Sequence, residues 1–146
     1  MIIFKKSLIF VTLFFAVVSY SQNRTCSLKI TDSNGREVLA KVEIAETEAA
    51  RAAGLMFRRI LDENEGMFFT FPDNAKRSFW MKNTYIPLSI AYIGENMIIN
   101  EIYDMKPLDT SIIYNSKKPA KFALEMKQGW FKKNSIAVGS KIEIVK

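Results

Sequence analysis

Short apolar stretches, each closed by a turn signal, follow one another from Ser27 to Val145, and this punctuation suits strands far better than helices. Ser27 to Ile30 and Val38 to Ile44 flank Asp32, Ser33, Asn34 and Gly35, whose Asn-Gly pair favours a tight hairpin. Two antiparallel strands are expected there. Thr47 is placed to cap a short helix, with Glu48 favourable to its N-terminal dipole, an alanine-rich body and Gly54 as the stop. Leu55 and Met56 should fold back beneath it.

Polar residues from Arg58 to Glu65 end at Gly66, after which Met67 to Phe71 reads as a buried strand closed by Pro72 and Asp73. Ser78 to Lys82 forms a further short strand, Asn83 to Pro87 a turn, and Leu88 to Ile93 a strand that turns at Gly94, Glu95 and Asn96 into Met97 to Tyr103. Lys121 to Met126 and Lys141 to Val145 supply two more. Between them Gly129, Trp130, Phe131 and a lysine-rich bend suit one helical turn. The fold class this predicts is α+β: a single compact domain on a curved antiparallel β-sheet with one or two short helices. Barrel-like closure would protect the strand edges, and the local pattern leaves closure open.

The N-terminus carries Lys5 and Lys6, an apolar run from Leu8 to Val18 broken only by Thr12, and small residues at Ser19 and Ser21. A run of about 10 residues suits a signal-peptide core, whereas a spanning helix needs about 20. The chain is therefore divided into a signal peptide over 1–21, an N-terminal segment and hairpin turn over 22–36, and the main domain over 37–146. Export to the periplasm or beyond is expected, with no membrane span in the mature chain. Asn23, Arg24 and Thr25 precede Cys26 where a lipoprotein signal would need small aliphatic residues. That lone Cys cannot close an internal disulfide, so the domain must stand on its hydrophobic core, and Cys26 reads as an incidental thiol near the terminus. The formal net charge of +6 falls once Lys5 and Lys6 leave with the signal peptide, and no arginine-rich run or zinc-finger spacing points to nucleic acid.

Histidine is absent, which removes Ser-His-Asp and Cys-His catalysis and histidine zinc sites. The six glycines match no phosphate-binding loop. No cofactor and no metal are expected. Carboxylate chemistry survives, with Glu43, Glu101, Asp104, Asp109 and Glu125 in or beside predicted strands.

Phe79 to Thr84 is the most suggestive stretch, because an aromatic and sulfur run passes directly into Lys82, Asn83 and Thr84. Strand alternation puts Phe79 and Met81 on one face and Trp80 and Lys82 on the other, where an aromatic ring, a cation and the Asn83 amide would adjoin. Trp80 then either packs in the core or lines a cleft. Glu125 ends the apolar run Phe122, Leu124 and Met126, a costly place for a carboxylate unless it is paired or hydrated. Lys82, Arg51 or backbone amides around Gly129 are its candidate partners, in a structural ion pair or a ligand-orienting group.

Taken together, Arg51, Gly54, Leu55 and Met56; Gly66 to Phe69 and Phe71; Phe79 to Thr84; Pro87 and Leu88; and Leu124, Glu125, Gly129, Trp130 and Gly139 identify a resemblance. In these blocks the chain resembles the domain-of-unknown-function 192 family, small and often exported prokaryotic proteins, from about Val38 to Val145. The resemblance implies a compact α+β fold on a curved antiparallel sheet and carries no established activity. Ser89 stands where that family usually has an acid after the Pro-Leu pair, and Ser140 where it often has one after the late glycine. The expectation is a non-enzymatic ligand-binding or accessory module whose small cleft is formed by Arg51, Met56, Trp80, Lys82, Asn83 and Glu125. Its partner would be a small envelope ligand. The alternatives are a carboxylate-dependent hydrolase or lyase on an envelope polymer, and an assembly factor that binds a protein partner.

Overall fold

The hairpin expected around Gly35 forms between β1 (Thr25–Thr31) and β2 (Glu37–Ala45), paired antiparallel from Thr25 opposite Glu43 to Thr31 opposite Glu37. Its turn is wider than a two-residue type. Asp32 N–H donates to the Arg36 carbonyl at 2.9 Å, the Asp32 carboxylate accepts from the N–H groups of Asn34 and Arg36, and Gly35 takes the left-handed conformation at φ 80°. In this computed structural model residues 23–145 are described, so the signal peptide expected over 1–21 lies outside them. Cys26 is not at a loose end: it lies in β1 opposite Val42 and packs against the core.

Helix α1 (Glu48–Ala53) follows as expected, with Thr47 Oγ1 accepting from Ala50 N–H at 3.1 Å and Gly54 N–H donating to the Ala50 carbonyl. α1 and the loop after it return the chain to the starting end of the sheet, so β3 (Glu65–Ala75) pairs parallel to β2. The all-antiparallel expectation is corrected here. β3 also runs past Pro72 and Asp73, which fall between the pairs Thr70–Phe122 and Ala75–Ala120 in a bulged stretch where the missing proline N–H breaks no ladder bond.

The strand expected over Ser78 to Lys82 shortens to β4 (Ser78–Phe79), which leaves the main sheet and pairs with β7 (Tyr114–Asn115). β5 (Leu88–Ile93) is buried throughout and lies between β6 (Ile99–Met105) and β8 (Ala120–Lys127). α2 (Trp130–Lys133) is the single turn expected near Gly129, and β9 (Lys141–Val145) completes the chain. The main sheet runs β6-β5-β8-β3-β2-β1-β9. It curls into a half-barrel whose described residues are 47% strand, so strand outweighs helix far more than an α+β label suggests.

The edge strands meet at one end, where Ile98 bridges Lys141 and Ile99 N–H donates to the Ser140 carbonyl at 2.9 Å. The other end stays apart. Alternation along the central strands builds two cores. Phe68, Ala91, Leu124 and Met126 face one, capped by Trp130 and Phe131; Met67, Phe69, Ile90, Tyr92 and Ala123 face the other.

Candidate functional site

β8 sets Glu125 opposite Met67 of β3 and Ile90 of β5, so its side chain points to the second core with theirs. The residue is 5% exposed. Among the described residues its carboxyl group makes no hydrogen bond or ion pair, and because no fully buried side-chain oxygen there lacks a partner, the Glu125 oxygens open onto accessible space. Burial alone pushes that carboxyl up to about 8, which leaves it largely protonated at neutral pH.

The expected partners are engaged elsewhere, so the structural ion pair foreseen for Glu125 is corrected. Arg51 projects from α1 and donates through Nη1 to the carbonyls of Glu46 at 2.6 Å and Thr70 at 3.0 Å. Lys82 Nζ lies 5.1 Å from the Trp80 ring centroid. Gly129 N–H donates to Ser89 Oγ at 2.9 Å.

Over Glu125, α1 with its following loop, the outer half of β3, and β4 enclose a cavity of about 310 Å³. Arg51, Met56, Trp80 and Glu125 all line it, so four of the six residues singled out from the sequence come together. Lys82 and Asn83 do not. Lys82 stays on the outside against Trp80, and Asn83 sits in a left-handed turn at φ 53° whose carbonyl accepts from Phe57 N–H at 2.8 Å. Trp80 is 45% exposed at the rim, while Met81 beside it is fully buried.

Phe69, Phe71, Phe79, Arg77 and Thr84 also line the cavity. Phe79 meets Phe69 edge-on at 5.0 Å and Tyr92 at 5.9 Å, which makes the wall one connected aromatic cluster. Arg77 lies 4.0 Å over the Phe71 ring, and Arg51 is 5.4 Å from the same ring. Arg77 is held there by Nε donating to the Ala120 carbonyl at 2.9 Å and by Nη2 to Asp73 Oδ1 at 2.8 Å. The sequence reading missed Arg77 because Pro72 and Asp73 looked like the end of β3; the nearest signal was Asp73 four residues before it.

Chemically, the cavity joins an apolar aromatic wall, two guanidinium groups fixed beside Phe71, the mostly buried carboxyl of Glu125 and the exposed one of Glu48. A second cavity of about 670 Å³ lies on the other side of α1, but its carboxylate, Glu43, is already held by both Nη atoms of Arg58, which lowers its pKa. The Ser89 departure does not touch the site. Ser89 points away from Ile90 and Glu125, and its Oγ donates to Asp104, so an acid is supplied beside it from β6.

The sequence profile of a family described as an uncharacterised ACR, the domain of unknown function 192, matches residues 29–144. The chain belongs to this family. Among solved structures it is similar to a protein of Novosphingobium aromaticivorans of unknown function, 32% identical, with a TM-score of 0.80, over 88% of this chain and 91% of that one. It is also similar to a Sinorhizobium meliloti protein described as a candidate transcription regulator, 29% identical, with a TM-score of 0.82, over 84% of this chain and 95% of that one. No curated protein matches.

Proposed function

We propose that this family member is an exported, non-enzymatic binding module that holds a small, mainly apolar molecule in the cavity over Glu125. One observation carries the reading. A buried carboxyl costs stability unless it is hydrogen-bonded or paired, and native interiors satisfy nearly all such groups. Glu125 has no partner within the described chain, and its oxygens open onto an aromatic cavity, where the polar end of a ligand would satisfy it. A volume of about 310 Å³ is at the small end of ligand sites, which span roughly 300–1,000 Å³. Export rests on the leader read over residues 1–21, and it directs the search to envelope components.

The regulator description of the Sinorhizobium relative is not carried over. Among the described residues the helices have 6 and 4 residues, too short to lie along a major groove as a recognition helix does.

Thermal unfolding of the leader-free chain against envelope sugars, peptidoglycan fragments and fatty acids tests the reading. A ligand at about 100 times its Kd should add roughly 2.7 kcal/mol of stability. That shift should vanish in Trp80→Ala and Glu125→Gln. A shift of equal size in both variants would place binding elsewhere.

A second reading keeps the same site for turnover, because a carboxylic acid with a raised pKa can donate a proton and Glu48 also lines the cavity. Under that reading Glu125→Gln abolishes cleavage of an envelope polymer. Unchanged cleavage would remove Glu125 as the acid.

A further inference from the structure

Gly66 stands opposite Met126, and Leu88 stands opposite both Met105 and Lys127, so β3 and β5 begin and β6 and β8 end at the same end of the sheet. The loops over 55–64, 80–87 and 106–113 gather there. Backbone hydrogen bonds tie them together: Phe57 N–H donates to the Asn83 carbonyl at 2.8 Å and Leu108 N–H to the Thr84 carbonyl at 3.1 Å. The bridge between Ile98 and Lys141 joins the far end of β6 from these loops to the start of β9.

These loops expose Phe57, Ile60, Trp80, Tyr85 and Leu108, with Ile60 at 81%. Such a concentration of large apolar side chains is costly on a surface that meets only water. Two cations lie on two of the rings, Arg59 over Tyr85 at 4.9 Å and Lys82 over Trp80 at 5.1 Å. Among the described residues neither cation makes an ion pair. The nearby acids are engaged: Glu43 holds Arg58, and Asp109 accepts from Ser111 N–H and Oγ and lies 3.9 Å from Lys106 Nζ. Asp62 remains exposed on the same end.

We infer that this end of the molecule rests on the surface of an anionic lipid bilayer, with Phe57, Ile60, Trp80, Tyr85 and Leu108 in the headgroup layer and Arg59 and Lys82 against lipid phosphates. Aromatic rings with one wet edge, aliphatic tips and unpaired cations on flexible stems are the chemistry of the bilayer interface. A protein-binding patch differs, since its centre is depleted in lysine and buries its ring faces in the partner's pockets. Here a cation already lies over each of two half-exposed rings, and among the described residues neither cation has a hydrogen-bond partner. Among the described residues no helix is long and apolar enough to cross a membrane.

Flotation of the leader-free chain with vesicles tests this. It should bind vesicles containing phosphatidylglycerol, release them as salt rises, and leave pure phosphatidylcholine vesicles largely unbound. Arg59→Ala combined with Ile60→Ser should weaken partitioning about tenfold or more, because one cation and one exposed anchor are removed. Neither residue lines the cavity over Glu125 or the one beside it, so ligand-induced thermal shifts should persist. Val138→Ser, beside the bridge between Ile98 and Lys141 and 60% exposed, should change nothing. Equal binding to both vesicle types, binding to neither, or an unaffected double variant would overturn the inference. Self-association abolished by the same double variant would overturn it too, in favour of a second copy on this face.

Discussion

Leu124 and Glu125 are neighbours on β8, yet alternation sends them to opposite sides of the sheet and into interiors of different kinds. On the Leu124 side, Phe68 stacks on Phe122 at 5.4 Å, α2 contributes Trp130 and Phe131, and the Trp130 indole N–H finds Asn64 Oδ1 at 3.0 Å. On that side the Ser89 hydroxyl is likewise satisfied, donating to Asp104 and accepting from Gly129 N–H. The Glu125 side is roofed by α1, which buries none of its residues, and by the two-stranded β4–β7 ribbon. A light roof cannot fill the space above the strands, so a cavity remains and a carboxyl group stands unpaired beneath it. Packing stabilises one face, and the other gives up part of that stability to keep a site.

The largest expected effect tests the Leu124 face. Phe68→Ala should cost about 3–5 kcal/mol in urea unfolding, since it empties a fully buried position between β2 and β8. A loss under about 1 kcal/mol would remove the contrast. On the roofed face the signature is pH. Glu125 has an ordinary value of 4.5 and a folded value near 8, so the native state holds its proton more tightly than the unfolded chain does. Stability from this group is therefore fully present below about pH 4.5, declines by about 1.4 kcal/mol per pH unit through the window, and is lost above pH 8. Glu125→Gln should flatten that decline between pH 5 and 8; an identical slope in both proteins would mean that the carboxyl is hydrated or paired in solution.

Gly66→Ala bears on both faces at once. Its Cβ would lie 2.2 Å from the Glu125 carbonyl oxygen and 2.5 Å from Met126 Sδ, and the backbone contact cannot yield easily. About 1–3 kcal/mol of destabilisation is expected. A neutral Gly66→Ala would show that β3 and β8 can separate there. The smallest effect belongs to Trp80→Ala. At 45% exposed on the cavity rim, Trp80 should contribute under about 1 kcal/mol to stability while its removal abolishes ligand binding. A loss of 3 kcal/mol or more would make Trp80 part of the core and the rim a structural wall.

The sequence by itself determined what depends on near neighbours. Thr47 and Gly54 bound α1, the turn signals at Pro87 and Gly94 bound the strand from Leu88 to Ile93, and the charge of Glu125 amid Leu124 and Met126 marks a position whose burial has to be explained. Each of these is written in a few adjacent residues, where propensity, capping and alternation act directly. Tertiary structure alone decided the rest. The parallel pairing of β2 with β3, the capture of β4 by β7 across more than thirty residues, and the placing of Arg77 against Phe71 depend on which distant segments meet. The partner of Glu125 was of the same kind: sequence showed that the acid needed one, and only the fold could show that Arg51, Lys82 and the Gly129 amide were held elsewhere. Local chemistry fixes what a residue requires, whereas long-range packing fixes whether the requirement is met inside the chain or left for a ligand.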